Sequence, residues 1–328
     1  MKKSISIIVP NYNGAATLGK CLEAAFSSAH TDFEVIAVDD CSTDGSLEIA
    51  KRFPCRIVSL DRHSGASRAR NAGALQASGD ILFFIDADCI LRRDALSLAT
   101  KALANAENQV IGGTYTPIPY DDTFFSTFQS IFIHYSETKK SEPDYIASHA
   151  MAISRSLFLK SGGFPEDFLP ILEDVEFSHR LRESGYSLVM QPDILVQHIF
   201  NFTFLKSVQN AFRKSMFWTE YSLAKGDVFT DSGTASRELK VNVISLYVSV
   251  LLLLIYSMWG KAIVLFILPV IIAFNVSFNR FLIRAFVRAK GVAFAIKAGF
   301  YYITAYPFAI GAGALAGLWR YLCSEGKI

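Results

Sequence analysis

The sequence predicts an α/β fold, a Rossmann-like and mostly parallel sheet, followed by C-terminal transmembrane helices. Three observations carry this reading. Short apolar runs alternate with helix-like stretches as far as about residue 115, and such a βαβα order gives a parallel sheet with helices on both faces. Two of those runs end in acid, at Asp39-Asp40 and at Asp86-Ala87-Asp88, and a third acidic signal follows at Glu173-Asp174. Long charge-free apolar segments collect after about residue 240, and the rest reads as ordinary globular sequence.

Residues 5–9 read as the first strand, and Asn11-Tyr12-Asn13-Gly14 as a loop. Thr17 is placed to cap a helix running through Leu18, Leu22 and Ala25. Residues 34–38 form the second strand; Asp44-Gly45 turns into a helix over 46–53. Residues 56–60 form the third strand, and Gly65-Ala66-Ser67 opens a helix carrying Arg68 and Arg70. Gly79-Asp80 turns into the fourth strand, 81–85. The run 81–85 is apolar throughout and 34–38 is apolar after Glu34, as strands buried on both faces are. Carboxylates at their carboxyl ends point into the crevice where open α/β sheets bind ligands. Clustered carboxylates repel one another unless a cation or donor groups lie between them, so the pattern implies a metal and a phosphorylated ligand.

The 328 residues suffice for a domain of roughly 200 residues plus an appendage. A net charge of +2 gives no reason to expect nucleic acid as a partner. The five cysteines, Cys21, Cys41, Cys55, Cys89 and Cys323, have no CxxC spacing and read as reduced thiols. Cys41 and Cys89, beside the acidic pairs, read as small packing residues. Pro10 ends the first strand too early for a signal-peptide core, so the N-terminal domain is expected in the cytosol.

Six motifs stand in one order: residues 8–13 (Ile-Val-Pro-Asn-Tyr-Asn), 38–45 (Val-Asp-Asp-Cys-Ser-Thr-Asp-Gly), 65–73 (Gly-Ala-Ser-Arg-Ala-Arg-Asn-Ala-Gly), Asp86-Ala87-Asp88, Gly162-Gly163-Phe164 and Glu173-Asp174-Val175-Glu176-Phe177. Together they resemble family 2 glycosyltransferases over about residues 4 to 200. The resemblance implies a GT-A fold, a nucleotide-sugar donor (a UDP-sugar foremost), a divalent cation (Mg²⁺ or Mn²⁺) and inversion at the anomeric carbon.

On that resemblance Pro10, Asn11, Tyr12, Asp39 and Asp40 form the nucleoside pocket. Asp39 or Asp40 would accept from a base N–H or a ribose hydroxyl; the same pair also suits a turn and helix start. Asp88 of the DXD motif is the metal ligand and Asp86 meets the nucleotide sugar or ribose. Arg68 and Arg70, after a glycine at a helix start, suit a diphosphate, although a solvated basic face has the same composition. Asp174 is the general base, with Glu173 as its neighbour, because an acceptor hydroxyl needs its proton removed. A helix N-terminus would lower the Asp174 pKa. His198, which ends the run 194–197, is a candidate second metal ligand or a packed strand-end histidine. Ala147-Ser148-His149-Ala150 departs from the Gly-x-Asn-like stretch of relatives. Gln-x-x-Arg-Trp is absent, which predicts transfer of one sugar rather than polymerisation.

Three segments, 241–260, 262–279 and 298–320, charge-free but for Arg320 at the end of the third, approach the roughly 20 residues that cross a bilayer. The first two read as a hairpin joined at Gly260-Lys261. Pro269 would kink the second, and Pro307 would make the third less regular. The linker between the second and third carries Arg280, Arg284, Arg288, Lys290 and Lys297 and no acid, which places it in the cytosol. Residues 201–240 mix aromatic and basic residues, as an interfacial segment does and as an ordinary packed helix can. The expected division is 1–200 catalytic, 201–240 juxtamembrane and 241–328 transmembrane. The expected activity is transfer of one sugar to a hydroxyl of a lipid or lipid-linked glycan by a multi-pass protein of the inner (plasma) membrane, with its catalytic domain in the cytosol. The alternatives are a polyprenyl-phosphate glycosyltransferase and a non-catalytic membrane scaffold.

Overall fold

The computed structural model describes residues 3–104, 108–228, 230–260 and 262–323. Met1 and Lys2 before the first strand, Lys261 at the expected hairpin turn and the C-terminal tail after the third segment lie outside the described residues. The chain divides into two compact units, Met1–Asp122 with Glu137–Asn201, and Thr123–Ser136 with Phe202–Ile328.

The first unit is built on eight strands: β1 (Ile5–Asn11), β2 (Phe33–Asp39), β3 (Arg56–Ser59), β4 (Ile81–Phe84), β5 (Cys89–Leu91), β6 (Gln109–Tyr115), β7 (Met151–Ser154) and β8 (Ser187–His198). Their order is β3-β2-β1-β4-β7-β6-β8-β5. The first four strands pair in parallel, as expected, with Ile8 opposite both Ile36 and Phe84. Beyond β4 the sheet is mixed, with β6 and β8 again parallel. β7 runs antiparallel to both β4 and β6, and β5 antiparallel to β8. Their pairing is set by long-range contacts; Val110, for instance, lies opposite both Ile153 and Leu188.

Helices α1 (Leu18–Phe26), α2 (Ser46–Ala50), α3 (Ala66–Gln76) and α4 (Ala95–Leu103) follow successive strands. Thr17 does not cap α1 with its side chain; the hydroxyl donates to the Gly14 carbonyl at 3.3 Å instead. α3 lies close on β1 and β2 because residue 73 has no side chain. A Cβ there would stand 2.6 Å from Ile8 Cγ2 and 2.9 Å from Val38 Cγ2. This close approach sets the depth of Arg70 above the sheet.

Of the second unit, α5 (Phe124–Thr138) gives residues 124–136. It is followed along the chain by α6 (Arg155–Lys160) and α7 (Glu173–Glu183), which belong to the first unit. The rest of the second unit is α8 (Phe204–Lys225), α9 (Arg237–Trp259), α10 (Ile263–Phe278), α11 (Arg280–Ile303) and α12 (Ala305–Cys323). α9 is capped by Ser236 Oγ, which accepts from Leu239 N, and stops at left-handed Gly260. α8 and α12 touch backbone to backbone: a Cβ on Gly313 or Gly317 would meet the Phe212 or Met216 carbonyl oxygen. Such small-xxx-small spacing is how apolar helices approach closely. Asn242, Asn275 and Asn279, all buried, join α9, α10 and α11: Asn275 donates to Asn242 at 2.9 Å, and Asn279 to Asn275 at 2.9 Å.

Among the described residues, α9 alone is one continuous helix long and apolar enough to cross a membrane. α10 has 16 residues with Pro269 inside. α10 and the stretch from Arg280 to Cys323 meet that description only as a pair bent by 64°. The third apolar segment is divided between α11 and α12 at Thr304 (φ −119°, ψ −87°). The basic linker is helical on either side of a kink at Gly291 (φ 82°, ψ 177°), and Leu282 and Phe286, one turn apart, give its first part an apolar side to bury.

Gly73→Ala is expected to lower unfolding stability by about 1–3 kcal/mol, the usual cost of overpacking. Denaturant titration checks this.

Candidate active site

Each parallel strand delivers a polar group to the same end of the sheet, because the apolar run stops where the strand leaves the core. β1 ends in Asn11, β2 runs into Asp39-Asp40, and β4 is followed by Ile85 and Asp86. Asp39 accepts weakly, from Asn11 Nδ2 at 3.4 Å and from Ser42 N at 3.3 Å. Asp40 is fully engaged: its oxygens take Ser64 N and Gly65 N, both at 2.8 Å, and His63 Nδ1 at 2.9 Å. It therefore orders the turn that starts α3, while Asp39 is the more available of the two. Cys41, between them and Ser42, is exposed with φ 64°, which corrects the expectation of a packing residue. Cys89 is buried, and burial pushes its thiol well up.

Tyr12 is exposed and stacks on His63 with ring centroids 3.8 Å apart. Pro10 lies within β1 just behind it. Asn11 Oδ1 is buried with no hydrogen-bond partner.

The structure separates the two arginines. Two residues along a helix are about 200° of turn, so Arg68 faces out while Arg70 is only 4% exposed. Arg70 donates to Asp86 Oδ1 at 2.7 Å and to Glu173 Oε1 at 2.6 Å, and its guanidinium lies 5.6 Å above the Phe164 ring. Phe164 is held in turn by Asn71, which accepts from Phe164 N at 2.9 Å and donates to Phe164 O at 2.8 Å. Gly162 and Gly163 precede it with φ of 81° and 70°, a left-handed pair that only glycine adopts without strain. Burial works against ionisation of Asp86, but the Arg70 charge outweighs it and holds the carboxyl below its ordinary range.

Asp86-Ala87-Asp88 is a turn, closed by Cys89 N donating to Asp86 O at 3.0 Å. Asp88 still shares the crevice with Asp86. Burial by the walls and the Asp86 charge push it up to about 7, although 43% of its side chain is accessible and water there damps the effect. Cys89 pairs with His198 across β5 and β8. That pairing brings His198 Nε2 to 3.5 Å from Asp88 Oδ1. Ligand atoms of Asp88, Cys89 and His198 all lie within 4.8 Å of one another. A carboxylate and an imidazole suit Mg²⁺ or Mn²⁺, and the protonated, buried Cys89 thiol does not.

α7 begins at Glu173, directly after Leu172 in the left-handed conformation (φ 77°). Asp174 accepts from Ser148 N at 3.1 Å. Burial and the adjacent Glu173 push it up to about 6, so the helix N-terminus does not dominate as expected. It remains ionised at neutral pH. His149, next to Ser148, is buried, stacks on Tyr115 at 4.0 Å and lies 3.5 Å from Glu137 Oε2. Burial opposes its charge, but Glu137 overcomes that and raises its pKa. Glu137 also accepts from the Thr114 hydroxyl at 2.7 Å. Tyr115, Glu137 and His63 were not found by sequence reasoning; none sits in a motif, and only folding brings them to the crevice.

Residues 6–161 match the profile of a family described as Glycosyl transferase family 2. Over that stretch the chain is similar to family 2 glycosyl transferases. It is 29% identical to glycosyltransferase AglE of Haloferax volcanii over 208 residues, 59% of this chain and 66% of that protein. It is 30% identical to an uncharacterized glycosyltransferase of Haemophilus influenzae over 191 residues, 54% of this chain and 61% of that protein. The matches thus span less than two thirds of either relative. In fold the chain resembles a mannosyltransferase, PcManGT from Pyrobaculum calidifontis, solved with GDP-Man and Mn²⁺. That likeness has a TM-score of 0.61 at 19% identity and covers 98% of this chain and 88% of the other.

Replacing Arg70 by Gln leaves Asp86 and Glu173 without their cation. It is expected to cost about 3–5 kcal/mol of stability, as breaking a buried ion pair does. A denaturant midpoint unchanged from the parent would contradict this.

Proposed function

We propose that this chain is a membrane-anchored, inverting glycosyltransferase that moves a single sugar from a nucleotide-sugar donor to a hydroxyl of a lipid or lipid-linked glycan at the cytosolic face of the plasma membrane. The observation that carries the reading is the convergence of Asp86, Asp88, Glu173 and Asp174 on one crevice, beside Arg70, His149 and His198. In this reading 1–200 is the catalytic part, 201–240 the juxtamembrane segment and 241–328 the membrane region. α9 supports anchoring, since Ile244, Leu251, Leu254, Met258 and Trp259 are exposed along it.

The donor's nucleoside would lie against Pro10, Asn11, Tyr12 and Asp39. The orphaned Asn11 Oδ1 fits an N–H or hydroxyl donor there. A UDP-sugar is the donor in this proposal. Asp88 and His198 would hold Mg²⁺ or Mn²⁺, with the diphosphate completing the ligands; the bound cation supplies charge neutralisation to the leaving group. Arg70 holds Asp86 ionised and in place to bind the sugar or ribose. The acceptor hydroxyl oxygen attacks the anomeric carbon, and the bond from that carbon to the diphosphate oxygen breaks. The nucleoside diphosphate leaves with the electron pair, and Asp174 takes the hydroxyl proton. A base with a pKa near 6 favours a hydroxyl acceptor, since a lipid phosphate is already an anion and needs none.

Calorimetric titration of detergent-solubilised protein with UDP, GDP, CDP and dTDP, with and without Mn²⁺, tests the donor site. One nucleotide is expected to bind, more tightly with Mn²⁺, and Asp88→Ala or His198→Ala is expected to remove the Mn²⁺ gain. Binding by none would refute the donor site.

Asp174→Asn is expected to lower kcat by roughly 10²–10⁴, the usual contribution of a general base. The sign of the pH effect follows from protonation: the base works when ionised, so kcat/KM falls as pH drops through about 6. An acid limb near 6 that persists in Asp174→Asn would assign the limb to another group.

A further inference from the structure

α11 opens with Arg280, Arg284 and Arg288, four residues apart. At about 100° per residue they form one stripe along the helix, and all three are exposed. Leu282 and Phe286, on the opposite side, are fully buried. The outer face also shows Phe281 and Val287, 50% and 37% exposed. The Arg280 and Arg284 guanidinium groups lie 4.5 Å and 5.7 Å from the Phe281 ring centre. From residue 239 to residue 324 the chain has no Asp or Glu. A helix face turned to water mixes both signs of charge and few large apolar groups; this one has a single sign and two exposed hydrophobes.

The neighbouring geometry adds a second observation. α10 is almost wholly apolar and exposes Phe266, Val270 and Phe274. It turns into the basic helix at Asn279, through the 64° bend. An apolar helix that ends where a cationic amphipathic one begins matches a chain passing from hydrocarbon into the headgroup layer. Guanidinium groups pair with phosphate oxygens in a bidentate fork, and the interleaved Phe281 and Val287 need an apolar layer beside those phosphates.

We infer that the Arg280–Arg284–Arg288 face of α11 is a docking surface for the phosphate groups of anionic phospholipids. The inference rests on the membrane reading above. It commits to a lipid rather than a free phosphate because a free anion offers nothing to Phe281 and Val287.

The test dilutes detergent-solubilised full chain onto phosphatidylcholine vesicles with or without phosphatidylglycerol and measures flotation. Partition onto the anionic vesicles is expected to exceed that onto neutral ones by roughly a hundredfold at low salt, about fivefold for each arginine, and to shrink as NaCl is added. R280Q/R284Q/R288Q is expected to bind both vesicles alike, while R280K/R284K/R288K keeps most of the preference. These exposed positions leave Leu282 and Phe286 in place. Equal flotation of the parent on both vesicles, or a preference that survives in the Gln variant, would overturn the inference and leave membrane anchoring standing. Flotation with neither would overturn both. Inorganic phosphate is expected to compete no better than NaCl at equal ionic strength; stronger competition would point to a free phosphate and overturn the lipid assignment.

Discussion

The Arg70 guanidinium, buried between Asp86 and Glu173, is the contact on which the crevice depends. One cation joins a carboxylate from the end of β4 to another at the start of α7, and so ties two distant parts of the sequence at fixed distance. A buried charge is tolerated only where partners and hydrogen bonds surround it. Here the Phe164 ring covers one side and the two carboxylates take two of the three guanidinium nitrogens. Its position is set from below by Gly73, which lets α3 settle against Ile8 and Val38.

Around that pair the carboxylates are held in different states by their surroundings. Asp86, beside Arg70, stays ionised easily. Asp174, desolvated by the crevice walls and next to Glu173, holds its proton more readily. Asp88 lies beside Asp86 and opposite His198, where a further positive charge would relieve the repulsion. Separation of nearby acids in this way divides binding work from proton transfer. The His149–Glu137 pair, stacked on Tyr115, lies on the side of Asp174 and Asp86, and Glu137 raises the His149 pKa against its burial.

The helical unit uses other means. With few charges available, it is held by the close approach of α8 and α12 at Gly313 and Gly317, by the buried asparagines of α9, α10 and α11, and by the Arg320–Glu220 ion pair at 2.9 Å. Aromatic rings fill the remainder: Phe128 meets Phe286, Tyr301 and Tyr306. Much of the large apolar surface of α9 and α10 is nonetheless left outside.

The parallel half of the sheet, the order of its elements and the acids at the strand ends were all legible in the residues alone. Those features are local: a buried strand must be apolar throughout, and its last residue before a turn can be polar. Asp88 and His198, well over a hundred positions apart in the chain, stood out as possible partners through motif resemblance rather than through geometry. Packing settled the remaining features. The antiparallel strands β5 and β7 are short, and their partners are chosen by contacts that span much of the chain. Arg68 and Arg70 look alike in sequence, and only the packing of α3 sends one to solvent and the other into the crevice. Asp40 and Asp39 are likewise neighbours, yet His63, Ser64 and Gly65 engage the first and leave the second open. The direction of the Asp174 shift also waited on the fold, since burial and the Glu173 charge act over distances that no spacing along the chain records.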